Sequence, residues 1–287
     1  MKKLNILYLV IGLFAFSACE KIVDLEIPSG DPVLVVESQI TNKKELWKVR
    51  LSLSQPYFDQ ATVDGIASAV VTITGTDGLN QTLTHTDTGM FVSQDSMQCV
   101  AGETYTLSVN YNGDLYQASE ELANGFPIDT IASYNLPDNN GFIEAGIYVF
   151  IQGKENEYKG DSYLWKFYKN DTLQESFGSI LENDEFGMVS YLNQSIDVND
   201  LLGGIARGIV PRPYPFKVEE GDLIRVEQYN LSPQYYQYII DLEAQLNRSG
   251  SPFDPPPANP NDNISNGGIG YFSVAHFTEK DLVVPVF

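Results

Sequence analysis

From Val33 to Leu122 the apolar residues come at every second position, in short runs closed by Gly, Asn or Asp. A period of two places alternate side chains on one face of a strand, and it does not fit a helical repeat. The stretch Trp47-Lys48-Val49-Arg50-Leu51-Ser52-Leu53 shows it cleanly, and Ala69–Gly75 repeats it before a Gly-containing turn. Asp87-Thr88-Gly89, Ala101-Gly102 and Asn112-Gly113 separate further runs. Asn-Gly between two Tyr-rich alternating runs predicts a hairpin, because a type I′ turn needs positive φ at both centres. About seven strands at this spacing predict a β-sandwich domain over residues 33–125.

Asn124-Gly125-Phe126-Pro127 punctuates the chain, and residues 126–287 read as a second β-rich domain. GIYVFIQG, DSYLWKFYKN, DTLQESF and DLIRVEQYN are its predicted strands. Between Gly178 and Pro215 the sequence predicts a long irregular connection, with Gly203-Gly204, Pro211, Pro213 and Pro215. One helix is expected over 233–247. Ser232 suits the N-cap, Pro233 the first turn, and Gly250 stops the run. Tyr235, Tyr238/Ile239, Leu242 and Leu246 recur at helical spacing, so the helix should bury these positions at roughly 1.5–3 kcal/mol each. Pro255-Pro256-Pro257 then forbids helix and favours polyproline. Gly267, Gly268 and Gly270 mark tight turning or close approach ahead of a closing strand. The fold class is therefore mainly β: a sandwich, then a β domain with one amphipathic helix.

The order Ala69-Val70-Val71-Thr72-Ile73, Thr88-Gly89-Met90-Phe91 and Ala101-Gly102-Glu103-Thr104-Tyr105-Thr106-Leu107 is similar to the prealbumin-like regulatory modules of carboxypeptidases. That resemblance implies an immunoglobulin- or prealbumin-like form for the first domain.

Met1–Ala18 joins two lysines, an apolar run and small residues, the make-up of a secretory signal too short for a membrane span. Phe16-Ser17-Ala18-Cys19 resembles the lipobox of bacterial lipoproteins, with Phe16 where Leu is usual. The resemblance implies cleavage before Cys19, lipid on its thiol, and acylation of the new amino terminus. Residues 19–32 would then be an acylated tether, broken by Pro28, Gly30 and Pro32. Loss of Lys2 and Lys3 with the signal takes the formal charge from −21 to −23. Such a surface repels phosphate backbones and anionic headgroups, which argues against a nucleic-acid partner. Membrane attachment would have to come from the lipid, and more than one acyl chain holds stably. Cys99 is the other cysteine and reads as a small buried hydrophobe, so no internal disulfide is expected.

His85 and His276 are the two histidines, which leaves little for a His-based metal site or triad. No Gly-x-Ser-x-Gly, His-Glu-x-x-His, Cys-x-x-Cys or phosphate loop occurs. The pairs Glu120-Glu121 and Glu219-Glu220 are linear neighbours, which rarely face one another across a sugar. Glu182, Asp184 and Glu185 read as a solvated loop, with a loose Ca²⁺ site as the alternative. No catalytic residue, metal or cofactor is assigned. Tyr236 and Phe253 are the candidate binding surface, where apolar area can stay exposed. Asp95-Ser96-Met97, Asp129-Thr130-Ile131 and Asp171-Thr172-Leu173 resemble the Asp-Ser/Thr-apolar O-glycosylation acceptor of Bacteroidetes, making Ser96, Thr130 and Thr172 candidate acceptors.

Ser232-Pro233-Gln234-Tyr235-Tyr236, Pro252-Phe253, Pro255 to Asn259, Asn263-Ile264 and Gly270-Tyr271-Phe272 follow one another in order. With the Cys19 start and Leu34-Val35-Val36-Glu37-Ser38-Gln39-Ile40-Thr41, this set resembles the DUF4249 family of Bacteroidetes outer-membrane lipoproteins. The resemblance implies a non-enzymatic binding or accessory subunit of a TonB-dependent transporter, lipid-anchored on the periplasmic face or cell surface. The alternative is a free-standing surface adhesin or glycan-binding lipoprotein.

Overall fold

The computed structural model describes residues 31–55, 65–125, 127–137, 145–153, 162–174, 180–183, 208–209, 217–246 and 258–287. Cys19, the tether to residue 30, Phe253 and the Pro255–Pro257 run lie outside them. So do Asp184, Glu185 and most of the 178–215 connection.

Seven strands carry the first part: β1 (Leu34–Thr41), β2 (Glu45–Leu53), β3 (Ala69–Gly75), β4 (Asn80–Asp87), β5 (Met90–Met97), β6 (Thr104–Tyr111) and β7 (Asp114–Glu121). They form a β-sandwich because β4 divides itself between two layers. Its first half pairs with β3, while Thr84 to Asp87 pair with β5. One layer runs β1-β2-β5-β4 and the other β4-β3-β6-β7. The alternate residues read from the sequence fill the space between them: Trp47, Val49 and Leu51 from β2, Val71 and Ile73 from β3, and Tyr105, Leu107 and Val109 from β6. Asn112 and Gly113 both take positive φ, 53° and 91°, in the two-residue turn from β6 to β7. Cys99 is buried in this core as a free thiol, and burial pushes its ionisation up.

The second part comprises β8 (Ile128–Leu136), β9 (Gly146–Gly153), β10 (Ser162–Lys169), β11 (Thr172–Leu173), β12 (Ile180–Asn183), β13 (Gly208–Ile209), β14 (Lys217–Val218), β15 (Leu223–Leu231), α1 (Pro233–Leu246) and β16 (Ile269–Val283). β9 is the hub of a small sheet, with β8 on one side and β13 and β14 on the other. Ile131, Val149 and Ile151 from that sheet meet Tyr163, Trp165, Phe167, Ile224 and Val226 from β10 and β15. Within this second core the Trp165 indole donates to Gln228 Oε1 at 2.9 Å.

Two sequence expectations need correction. The 178–215 connection is not wholly irregular, since β12 pairs with β10 and β13 with β9. Their few residues lack the alternation that marks longer strands. The helix exists and Ser232 caps it, accepting the Tyr235 N–H at 3.1 Å, but Leu242 and Leu246 are exposed, Leu246 at 75%. Of the helix, Tyr235 and Ile239 pack on the Leu164–Leu231–Ala275 cluster, beside Tyr229 of β15. The burial gain assigned to the far turns is therefore not realised.

β16 ties the two parts together. Its first half lies parallel to β1, from Ile269 opposite Val35 to Ala275 opposite Thr41. Its second half runs antiparallel to β15, from His276 to Val283. Phe272 and Val274 belong to the first core, while Leu282 packs on the second. A strand of 15 residues spans about 50 Å, enough to serve both. Its entry depends on Gly270, whose φ is 106° and whose missing Cβ would sit 2.1 Å from the Val36 carbonyl oxygen.

Candidate functional site

β15 pairs with β16 only as far as Asn230 and His276; beyond that point the chain turns into α1. Among the described residues the β16 edge from Phe272 to Val274 has no partner strand, and side chains take its place. Asn263 accepts the Phe272 N–H at 3.0 Å and donates to the Phe272 carbonyl at 2.9 Å, as a neighbouring strand would. Glu120 Oε2 accepts the Val274 N–H at 2.9 Å.

An open groove of about 490 Å³ lies where α1, β7 and this edge converge. Its walls are Ser119 and Glu120 of β7, Pro233, Gln234 and Gln237 of α1, Asn261 to Asn263, and Tyr271. Asp241 fixes one rim, accepting from Gln237 at 2.7 Å and from the Asn261 amide at 2.9 Å. The floor is aromatic: Tyr271 is buried, and its ring lies 4.8 Å from Tyr235 and 5.1 Å from Tyr238. Among the described residues no Lys, Arg or His lines the groove.

Glu120 is the unusual member. The Asn112-Gly113 turn fixes the register of β6 and β7 so that Glu120 stands opposite Tyr105, a core residue. Tyr116, Ala118 and Leu122 continue the same inward set. A carboxylate thus occupies a position where the alternation calls for an apolar side chain. Its Oε1 is buried and makes no hydrogen bond of ordinary geometry. Burial raises the carboxyl to about 7, while the Ser232 hydroxyl and the Val274 N–H pull the other way. Burial also raises Asp262, against a hydrogen bond from the Ile264 backbone.

The sequence-predicted residues fall in different places. Tyr236 is half-buried in the first turns of α1, outside the groove lining, and Phe253 lies outside the described residues. Glu120 and Glu121 point to opposite faces of β7, so they form no pair. Glu220 accepts the Phe287 N–H, and Glu219 stands at the turn held by Asp222. His85 sits edge-on to Phe91 in β4, while His276 is on β16, where burial lowers its pKa. Among the described residues no cluster of His, Cys, Asp and Glu is arranged to hold a metal ion. Ser96, Thr130 and Thr172 are all exposed, on β5, β8 and β11. The groove itself was not foreseen. Its signal was a charged residue at an inward register position, two residues after Ala118 in a hairpin whose turn was already legible.

The sequence profile described as "Domain of unknown function (DUF4249)" matches residues 20–281. The chain belongs to the DUF4249 family. No curated protein sequence matches this DUF4249 chain. Among solved structures, it is similar to a two fibronectin type-III domain segment of chicken tenascin at 11% identity, covering 70% of this chain and 92% of that one, with a TM-score of 0.20. A likeness at that score carries no architectural argument, and the sandwich stands on the pairing and core described above.

Proposed function

We propose that this protein is a non-enzymatic binding lipoprotein of the outer membrane, held by lipid on Cys19 and acting as an accessory subunit of a TonB-dependent transporter. The observation that carries the binding role is the groove between α1, β7 and the open edge of β16. It gathers four side-chain amides, two carboxyls, a serine and a buried tyrosine around about 490 Å³ of open space. Such a lining offers hydrogen bonds in both directions and suits recognition of a polar ligand. Support for the anchor is the Met1–Cys19 pattern, whose lipid would hold a chain too acidic to adhere by charge.

Co-purification tests the transporter role. Full-length protein tagged at its C-terminus, extracted in mild detergent from its native membranes, should bring down a β-barrel receptor in stoichiometric amount. Recovery of the lipoprotein alone, with uptake unchanged on deletion, would remove the accessory role. The same amides would also serve the second reading, a glycan-binding surface lipoprotein. Binding of neutral oligosaccharides lost in Gln234→Ala would favour it.

A further inference from the structure

The groove combines two features that together restrict its ligand. Glu120 and Asp262 both line it, and among the described residues neither carboxyl takes part in an ion pair. Glu120 is mostly removed from water, and its Oε1 makes no hydrogen bond of ordinary geometry, although the Ser232 hydroxyl lies close enough to favour the charged form. Among the described residues lining it there is no cationic side chain to pair with these carboxyls, which leaves an incoming cation as their partner. Among the described residues no group of three or more His, Cys, Asp or Glu side chains converges to hold a metal ion. An anionic ligand would meet repulsion from both carboxyls and from the net charge of −21.

We propose that the groove binds an organic cation, a primary ammonium or guanidinium group, which pairs with Glu120 and Asp262 while the amides of Gln234 and Asn261 hold the rest of the ligand. This rests on the groove being the binding site and goes further by naming the ligand class. A charge-assisted hydrogen bond to a carboxylate is stronger than a neutral one, and an ammonium group has three protons to share among the carboxyls and amide carbonyls that line the groove. Free polyamines and amines carried on a peptide share this chemistry.

Binding requires Glu120 ionised, so it is linked to pH. With the free carboxyl near 7, its ionised fraction rises about tenfold from pH 6 to pH 8, and affinity for a cation should rise by the same factor.

The test is calorimetric titration of the full mature protein in detergent at physiological salt, with spermidine, a lysine-containing tripeptide and a neutral hexasaccharide as probes. The proposal expects a cationic probe to bind about tenfold more tightly at pH 8 than at pH 6; which of the two binds better identifies the source of the amine. Glu120→Gln should abolish the pH dependence and weaken binding by tenfold or more, because its amide still accepts the Val274 N–H but carries no charge. Asp262→Asn, at the exposed rim, should weaken binding without touching the fold. Asp114→Asn, exposed at the far end of β7, should change nothing and so controls for diffuse attraction to an acidic protein. Equal affinity at both pH values, or equal loss in Asp114→Asn, would overturn the cation. Neutral hexasaccharide binding lost in Asp262→Asn, with no cation bound, would overturn it while keeping the groove as a binding site. No binding of any probe would overturn both.

Discussion

Asn42 and Phe277, 235 positions apart, exchange two hydrogen bonds: the Phe277 N–H donates to Asn42 Oδ1, and the Asn42 amide donates to the Phe277 carbonyl at 3.2 Å. β1 ends at Thr41, opposite Ala275, so the Asn42 side chain extends the ladder one step after the backbone has turned away. Asn263 does the same for Phe272 on the opposite edge. Both halves of β16 are therefore completed by asparagine side chains where a strand partner is missing.

Asn42→Ala should leave the Phe277 N–H and carbonyl without partners in a half-buried place, at a cost of about 1–3 kcal/mol. Asn42→Asp keeps the acceptor for the N–H but loses the donor, and should fall between. Urea unfolding checks this through the midpoint, with the slope unchanged if only the native state is affected.

Gly270 and Gly267 both hold positive φ, 106° and 74°, but only Gly270 is hemmed in. Gly267→Ala meets nothing within 4 Å and should cost about 1 kcal/mol for the backbone conformation. Gly270→Ala adds an overlap with the Val36 carbonyl, in the pairing that unites β1 with β16, and should cost roughly 3 kcal/mol or more. Thermal melts of the two proteins should differ clearly; equal melting would mean that the β1–β16 pairing tolerates being pushed apart.

Glu120 gives the stability a particular pH dependence. Its folded pKa, about 7, lies above the ordinary value of 4.5, so the folded state holds the proton more tightly. The resulting stability is complete below the unfolded value and is lost as pH rises through the folded one, roughly 3 kcal/mol in all across that window. His276 acts in the opposite sense, because burial lowers its pKa and acid must charge it. The difference between Glu120→Gln and the parent protein isolates the carboxyl. Glu120→Gln should be the more stable of the two at pH 8, with the gap closing towards pH 5. A gap independent of pH would show that Glu120 ionises as a solvated carboxylate does.

The sandwich was legible because its signals are local. Asn112-Gly113 sets a turn, and Trp47, Val49 and Leu51 declare one face. Ser232-Pro233 announced α1 in the same way. The parallel pairing of β1 with β16 was not legible, since it joins Val36 to Gly270 and no short-range pattern encodes such a partner. β8 was missed because Ile128–Leu136 has polar residues on both faces and alternates poorly. The groove escaped for the same long-range reason: Glu120, Gln234 and Asn261 meet only once β15 ends and α1 crosses the edge it leaves. Leu242 and Leu246 misled because helical spacing reports amphipathicity, not whether a surface exists to receive it.

Ser96, Thr130 and Thr172 stand exposed on three different strands, within reach of a modifying enzyme on the folded chain. Intact-mass measurement of protein from its native host should show glycan additions that fall by one step in each of Ser96→Ala, Thr130→Ala and Thr172→Ala. A mass equal to that of the unmodified acylated chain would refute the assignment at all three.

The proposed attachment through Cys19 can be separated from attachment by charge. A chain with a formal charge of −21 is on the whole repelled by anionic headgroups. Acyl chains are indifferent to ionic strength, whereas charge pairing is screened within about 10 Å at 0.1 M salt. The parent protein should therefore stay with membranes through a high-salt wash and incorporate labelled palmitate. Cys19→Ser should incorporate none and leave with the soluble fraction, while its melting temperature, set by the β-sandwich and the second core, stays where it was. Retention of Cys19→Ser on washed membranes would transfer the anchor from the lipid to a protein partner.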